Sequence, residues 1–102
     1  MQLPELFENL SLDLAMLDRD VINREIVANY SDQDLMNLTR IFLQGIGNRH
    51  TVPGALIWSL TDMCDQYQNT HSFSPKQRIY IIQNILEHWH QISVEMRATL
   101  ML

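Results

Sequence analysis

Tyr30-Ser31-Asp32-Gln33-Asp34-Leu35 is the stretch on which the reading of the fold turns. The Ser31 hydroxyl can accept the backbone N–H of Asp34, and the Asp34 carboxylate can reach back to the N–H of Ser31, a reciprocal start for a helix. Tyr30 before the cap and Leu35 after it are spaced as a hydrophobic staple. The same logic recurs at Ser74-Pro75-Lys76-Gln77: serine as cap, proline at the first helical position where no donor is missed, and glutamine three residues after the serine.

Working outward from these two starts, helix-period apolar spacing fills most of the remaining chain. A first helix over residues 4–29 carries Leu6, Leu10, Leu14, Leu17 and Val21 on one stripe, with Leu12, Met16, Ile22 and Ile26 on a second. Ser11-Leu12-Asp13 offers an alternative cap that would split it in two. A second helix spans 32–44, ending at Gly45-Ile46-Gly47-Asn48, where the glycines can supply positive φ. A third, 53–68, places Leu56, Leu60, Met63 or Cys64, and Tyr67 on one face, with the polar run 66–72 as a loop. The fourth starts at Pro75 and runs nearly to the chain end through Ile81, Ile85, Trp89, Ile92, Met96 and Leu100, with Phe73 tucked beneath its start. Short connections make consecutive helices pack side by side. The expectation is an all-α, compact four-helix bundle with short loops, or five helices if the first is broken, as one domain over residues 1–102.

Composition narrows the function classes. The chain is 46% hydrophobic and 19% charged, with three glycines and three prolines, as in folded globular proteins. It has no apolar run near the ~20 residues that span a bilayer and no basic leader at its start, so a cytoplasmic protein is expected. Cys64 is the sole cysteine, which excludes an internal disulfide and reads as a small buried apolar residue. Net charge is −5, unevenly distributed. Residues 1–34 hold eight acidic against two basic residues, net −6, while the remainder holds four against five, net +1. Such an acidic third repels phosphate and steers a basic partner.

Nothing in the sequence assembles a catalytic or cofactor constellation, so neither enzymatic activity nor a cofactor is expected. Glu87 and His90 stand at the Glu-x-x-His spacing of di-iron bundles, but those sites need two such motifs. His88 and His90 point to different sides of a helix, and His50 and His71 lack a second ligand at metal spacing. Gly45-Ile46-Gly47 lacks the lysine and third glycine of phosphate cradles. A helix-turn-helix regulator of nucleic acid is the alternative reading. Its recognition helix would carry Asp62 and Asp65 and no cation, so nucleic acid is not expected. A loose basic group, Arg40, Arg49, Lys76 and Arg78, has no spacing that requires a common ligand.

What remains is a protein-interaction module, an adaptor, regulator or inhibitor presenting a helical surface to a protein partner of basic character. Self-association as a homodimer through the first or fourth helix is a related expectation, because those apolar faces look wider than one bundle contact needs. An acidic inhibitor that mimics DNA or neutralises a basic toxin is a further variant. Trp58 and Trp89 are the candidate partner-binding anchors, with Tyr30 and Tyr67 next, because large amphipathic aromatics concentrate interface energy.

Overall fold

Asp18 overturns the expectation of one long first helix. In the computed structural model, which describes residues 2–10, 18–46 and 52–92, α1 covers Leu3–Leu10 and α2 covers Arg19–Asn29. Asp18 is extended, and its carboxylate accepts the N–H groups of Asp20 at 3.0 Å and Val21 at 3.3 Å. An aspartate serves the unpaired donors of a helix start better than a helix interior, so a new helix begins here. The restart resets the rotational phase. Val21, expected on the apolar stripe with Leu6 and Leu10, is 44% exposed, and Ile26 becomes the buried anchor of α2. The alternative break at Ser11, and Leu12, Leu14, Met16 and Leu17, lie outside the described residues.

The two capped starts are present as read. In α3, Asp32–Gly45, Asp34 N–H donates to Ser31 Oγ at 3.1 Å and Ser31 N–H to Asp34 Oδ2 at 2.9 Å. In α5, Pro75–Glu87, Ser74 and Gln77 make the equivalent pair at 3.1 and 2.9 Å. Gly45 closes α3 without a positive φ, since Ile46 beyond it is extended. The remaining loop glycine expectation, at Gly47-Asn48, lies outside the described residues.

Helix α4, Gly54–Thr70, runs into the stretch expected to be loop. Tyr67, buried and stacked on Phe73 at 4.9 Å between centroids, holds this last part of the helix to the core. His71 then ends it in the left-handed region at φ 56°. Conversely, α5 stops at Glu87, well short of the chain end. Trp89–Gln91 form a turn of 3-10 helix, and Ile92 is extended and bridges Ile46 in antiparallel fashion. The tightened turn brings the Trp89 ring edge-on to Phe7, at 5.8 Å and 71°, and lets its indole N–H donate to Glu8. Burying that ring outweighs continuing the helix. Met96 and Leu100 lie outside the described residues.

The described residues thus form an all-α structure of five helices. Tyr67–Gln33 and Phe73–Asp32 hydrogen bonds tie one end of the bundle, and the Ile46–Ile92 bridge ties the other. Hence α3 runs out, α4 returns antiparallel, and α5 runs out again beside α3. Helix α1 lies against α3, and α2 lies against α5. Leu35, Leu38, Phe42, Leu60, Ile81 and Ile85 are fully buried in one contiguous core. Because α2, α3 and α4 all pack on α5, most of its apolar face is used within the chain, with Ile79 left exposed. No helix among the described residues is long and apolar enough to cross a membrane.

Candidate functional site

The four aromatic candidates separate sharply by position. Trp58 lies on α4 at 77% exposure, the most exposed large apolar side chain among the described residues. Trp89, at 1%, is core, and Tyr67 is buried with its hydroxyl donating to Gln33 at 3.1 Å. Both are thereby withdrawn from the surface, because each occupies the inward stripe of its segment. Tyr30 is half-buried at the end of α2, where its carbonyl accepts from Arg78 at 3.0 Å. Of the four, Trp58 alone offers a largely open ring.

Around Trp58 the helix supplies a defined neighbourhood. Leu56, Leu60, Cys64 and Tyr67 turn inward, which forces positions 54, 58, 61, 62 and 65 outward. Gly54, one turn before the ring, leaves open space beside it, since nothing lies within 4 Å of where a Cβ would stand. Asp62 and Asp65 follow one and two turns after it, and with Ile57 and Thr61 these residues line a shallow depression. The Thr61 hydroxyl is occupied by Ile57 O at 2.8 Å, and the Asp62 carboxylate accepts the Gln66 amide at 3.0 Å. The result is an aromatic ridge edged by carboxylate. Sequence reading placed Trp58 here but weighed Asp62 and Asp65 only against DNA binding. The spacing 58, 62, 65 against the inward 56, 60, 64 was the available signal.

A second feature had no sequence signal. Between α2 and α5 a groove of about 420 Å³ is lined by Asn23, Arg24, Val27, Ala28, Phe73, Pro75, Arg78 and Ile79. Val27 and Ile79, at 40% and 41% exposure, form its open apolar walls. The lining contains two arginines and no carboxylate. Arg78 is engaged internally: it pairs with Asp32 at 3.2 Å and donates to the carbonyls of Tyr30 and Val27.

Part of the acidic first third serves structure. The carboxylates of Asp18 and Asp34 accept backbone N–H groups at helix starts, Asp32 pairs with Arg78 and accepts from Phe73 N–H, and Glu8 accepts from Trp89. Asp20 and Glu25 stay exposed on α2. The Glu-x-x-His pair loses its premise, because α5 ends at Glu87 and His90 sits in the following 3-10 turn. His88 Nδ1 lies 2.9 Å from Asn84 O. His50 and Arg49 lie outside the described residues, and His71 is spent as a left-handed helix cap. Among the described residues, no three potential ligands gather around a common point.

Cys64 is buried, and burial pushes its thiol above the ordinary value, with Arg40 opposing and Asp65 adding to the shift. A raised pKa means that the folded state holds the thiol proton more tightly than the unfolded chain does. The associated stability is complete below the unfolded pKa and is lost as pH rises through the folded one. With a thiol-exchange reagent at pH 8, native protein is expected to react at least ~10-fold more slowly than protein in urea, because the thiolate is scarce and shielded. Equal rates would place Cys64 at the surface.

No family model, curated protein or solved structure matches this chain.

Proposed function

We propose that this protein is a protein-interaction module whose working contact is the α4 ridge centred on Trp58, and that its partner presents basic side chains. One observation carries the reading: a tryptophan held 77% exposed on a regular helix whose opposite face is fully packed. An indole left in water at such a position is available to a partner at little conformational cost, since the helix already fixes its backbone. Asp62 and Asp65 add the charge preference. Helix α4 contains no Lys or Arg, so an arginine or lysine arriving over the ring meets a cation–π surface and two carboxylates. The same carboxylates oppose a phosphate backbone, which disfavours the helix-turn-helix reading. A single buried thiol suits the reducing cytosol.

An aromatic photo-crosslinking residue at position 58, which keeps a ring there, compared with the same residue at exposed Asn69, tests this in extract of the source cell. Discrete adducts are expected from position 58 only, with yield falling at least ~10-fold when Asp62→Lys and Asp65→Lys are combined. Trp58→Ala should change folding stability by no more than about 0.5 kcal/mol, as for surface positions generally. Equal labelling from both positions, or indifference to charge reversal, would overturn the proposal.

A further inference from the structure

The two exposed features of this molecule complement each other. The α4 face around Trp58 is aromatic and acidic; the α2–α5 groove is apolar and edged by Arg24, with Lys76 on the adjoining turn. Among the described residues, Asp62 and Asp65 pair with no cation, and Arg24 and Lys76 pair with no carboxylate. The features share no residue and belong to different helices, α4 for one, α2 and α5 for the other. At about 420 Å³ the groove falls within the ordinary size range of ligand pockets, ~300–1,000 Å³.

We infer that a second copy of this chain occupies the groove: Trp58 of one molecule seats between Val27 and Ile79 of the next, with Asp62 and Asp65 facing Arg24 and Lys76. The inference rests on the reading of α4 as the contact surface and names the partner for it. Both halves of the contact are on one chain and do not overlap, so the association is head-to-tail and each dimer keeps one ridge and one groove free. Phe73, buried in the same lining, gives the indole further apolar contact. The flanking charges set orientation and weaken with salt. The patches are small, so the contact belongs to the weak, transient class.

Equilibrium sedimentation from about 10 µM to 1 mM, spanning weak affinities, gives the test. The wild-type average mass is expected to rise with concentration, while the Trp58 emission shifts to the blue as the ring leaves water. Trp58→Ala and Ile79→Glu should each raise Kd by about 30-fold or more, as expected of a contact centre. Arg24→Glu provides a second groove variant should Ile79→Glu perturb folding, which circular dichroism would show. The decisive arm mixes the two impaired proteins. Trp58→Ala keeps an intact groove and Ile79→Glu an intact ridge, so together they should form a dimer of near wild-type affinity that grows no further. A protein monomeric throughout this range, self-association untouched by either substitution, or failure of the mixture to recover would overturn the inference. Monomeric protein that still yields adducts from position 58 to another protein removes the second copy and leaves the interaction reading standing; absence of both removes both.

Discussion

Trp89→Ala is expected to destabilise the fold by about 3–5 kcal/mol, the range for emptying a buried tryptophan site. The ring is 1% exposed, meets Phe7 edge-on, and donates its N–H to Glu8 across most of the sequence. Alanine removes all three and leaves a cavity between α1 and the end of α5. In a domain whose total stability is of the order of 5–15 kcal/mol, that loss lowers the midpoint of thermal unfolding by roughly 12–40 °C. Trp89→Phe should recover part of it: the aromatic contact is kept, but the donor to Glu8 is gone, at a cost of about 2 kcal/mol. The comparison with Trp58→Ala is the informative one. Both changes delete the same chemical group; one should unfold much of the population on mild heating, and the other should leave the melting curve in place. Equal effects would mean that the inward and outward assignments of the two tryptophans are wrong.

That contrast also shows what the sequence could and could not disclose. Ser31-x-x-Asp34 and Ser74-Pro75-x-Gln77 were legible because a cap is local: donor, acceptor and hydrophobic staple all lie within a few residues. Periodicity likewise carried the inward faces of α4 and α5, since 56, 60, 64, 67 and 81, 85, 89 repeat at helical spacing. Position 58 stands off the inward stripe of α4, whereas 89 continues the inward stripe of α5; composition alone gave the two tryptophans equal standing. Helix termini set by distant partners were not legible. Nothing near Glu87 announces that the helix ends there, because the cause is Phe7 and Glu8, some eighty positions away. Asp18 failed for a different reason: its capping role was visible in type, but the unbroken apolar pattern around it argued for continuity.

Charge counted by segment and charge counted by position give different answers, for a physical reason. Eight acidic residues in the first third suggested a steering face. Folding assigns several of them to helix caps, an ion pair and an indole, leaving fewer to act at a distance. Asp62 and Asp65, the carboxylates beside the exposed tryptophan, belong to the nearly neutral remainder of the chain. Net charge by segment thus points to the first third, whereas charge relative to the exposed tryptophan points to α4. The groove had no counterpart in sequence, since Val27 and Ile79 are ordinary members of apolar stripes until two helices fail to cover them completely.

Arg78 carries the second large expected effect, because its guanidinium joins α5 to the end of α2 and the start of α3, and its partner Asp32 adds the α4–α5 connection. Its Nε lies 3.2 Å from Asp32 Oδ1 at the start of α3, an ion pair whose N–H is not aligned along the contact. One terminal amino group donates to Tyr30 O at 3.0 Å and reaches Val27 O at 3.4 Å, satisfying carbonyls at the end of α2. Asp32 Oδ2 meanwhile accepts Phe73 N–H at 3.2 Å from the α4–α5 connection. Acid at a helix start and base at a helix end both complement the helix dipoles. The two side chains are 21% and 23% exposed, so removing one leaves the other largely shielded from water. Arg78→Ala is expected to cost about 2–3 kcal/mol in urea unfolding, above the value for an exposed pair and below that for a fully buried one. Arg78→Lys should recover less than half, because a single ammonium cannot face Asp32 and reach two carbonyls together. Asp32→Asn keeps an acceptor for Phe73 and should cost about 1 kcal/mol, so the double-mutant cycle with Arg78→Ala should return a coupling of about 1 kcal/mol. Raising the salt from low concentration to 0.5 M, where exposed pairs are largely screened, should leave most of that coupling in place. A coupling near zero would reduce the pair to a surface contact. It would also loosen the argument for the groove, because Arg78 holds the end of α2 against α5 and thereby sets the distance between Val27 and Ile79.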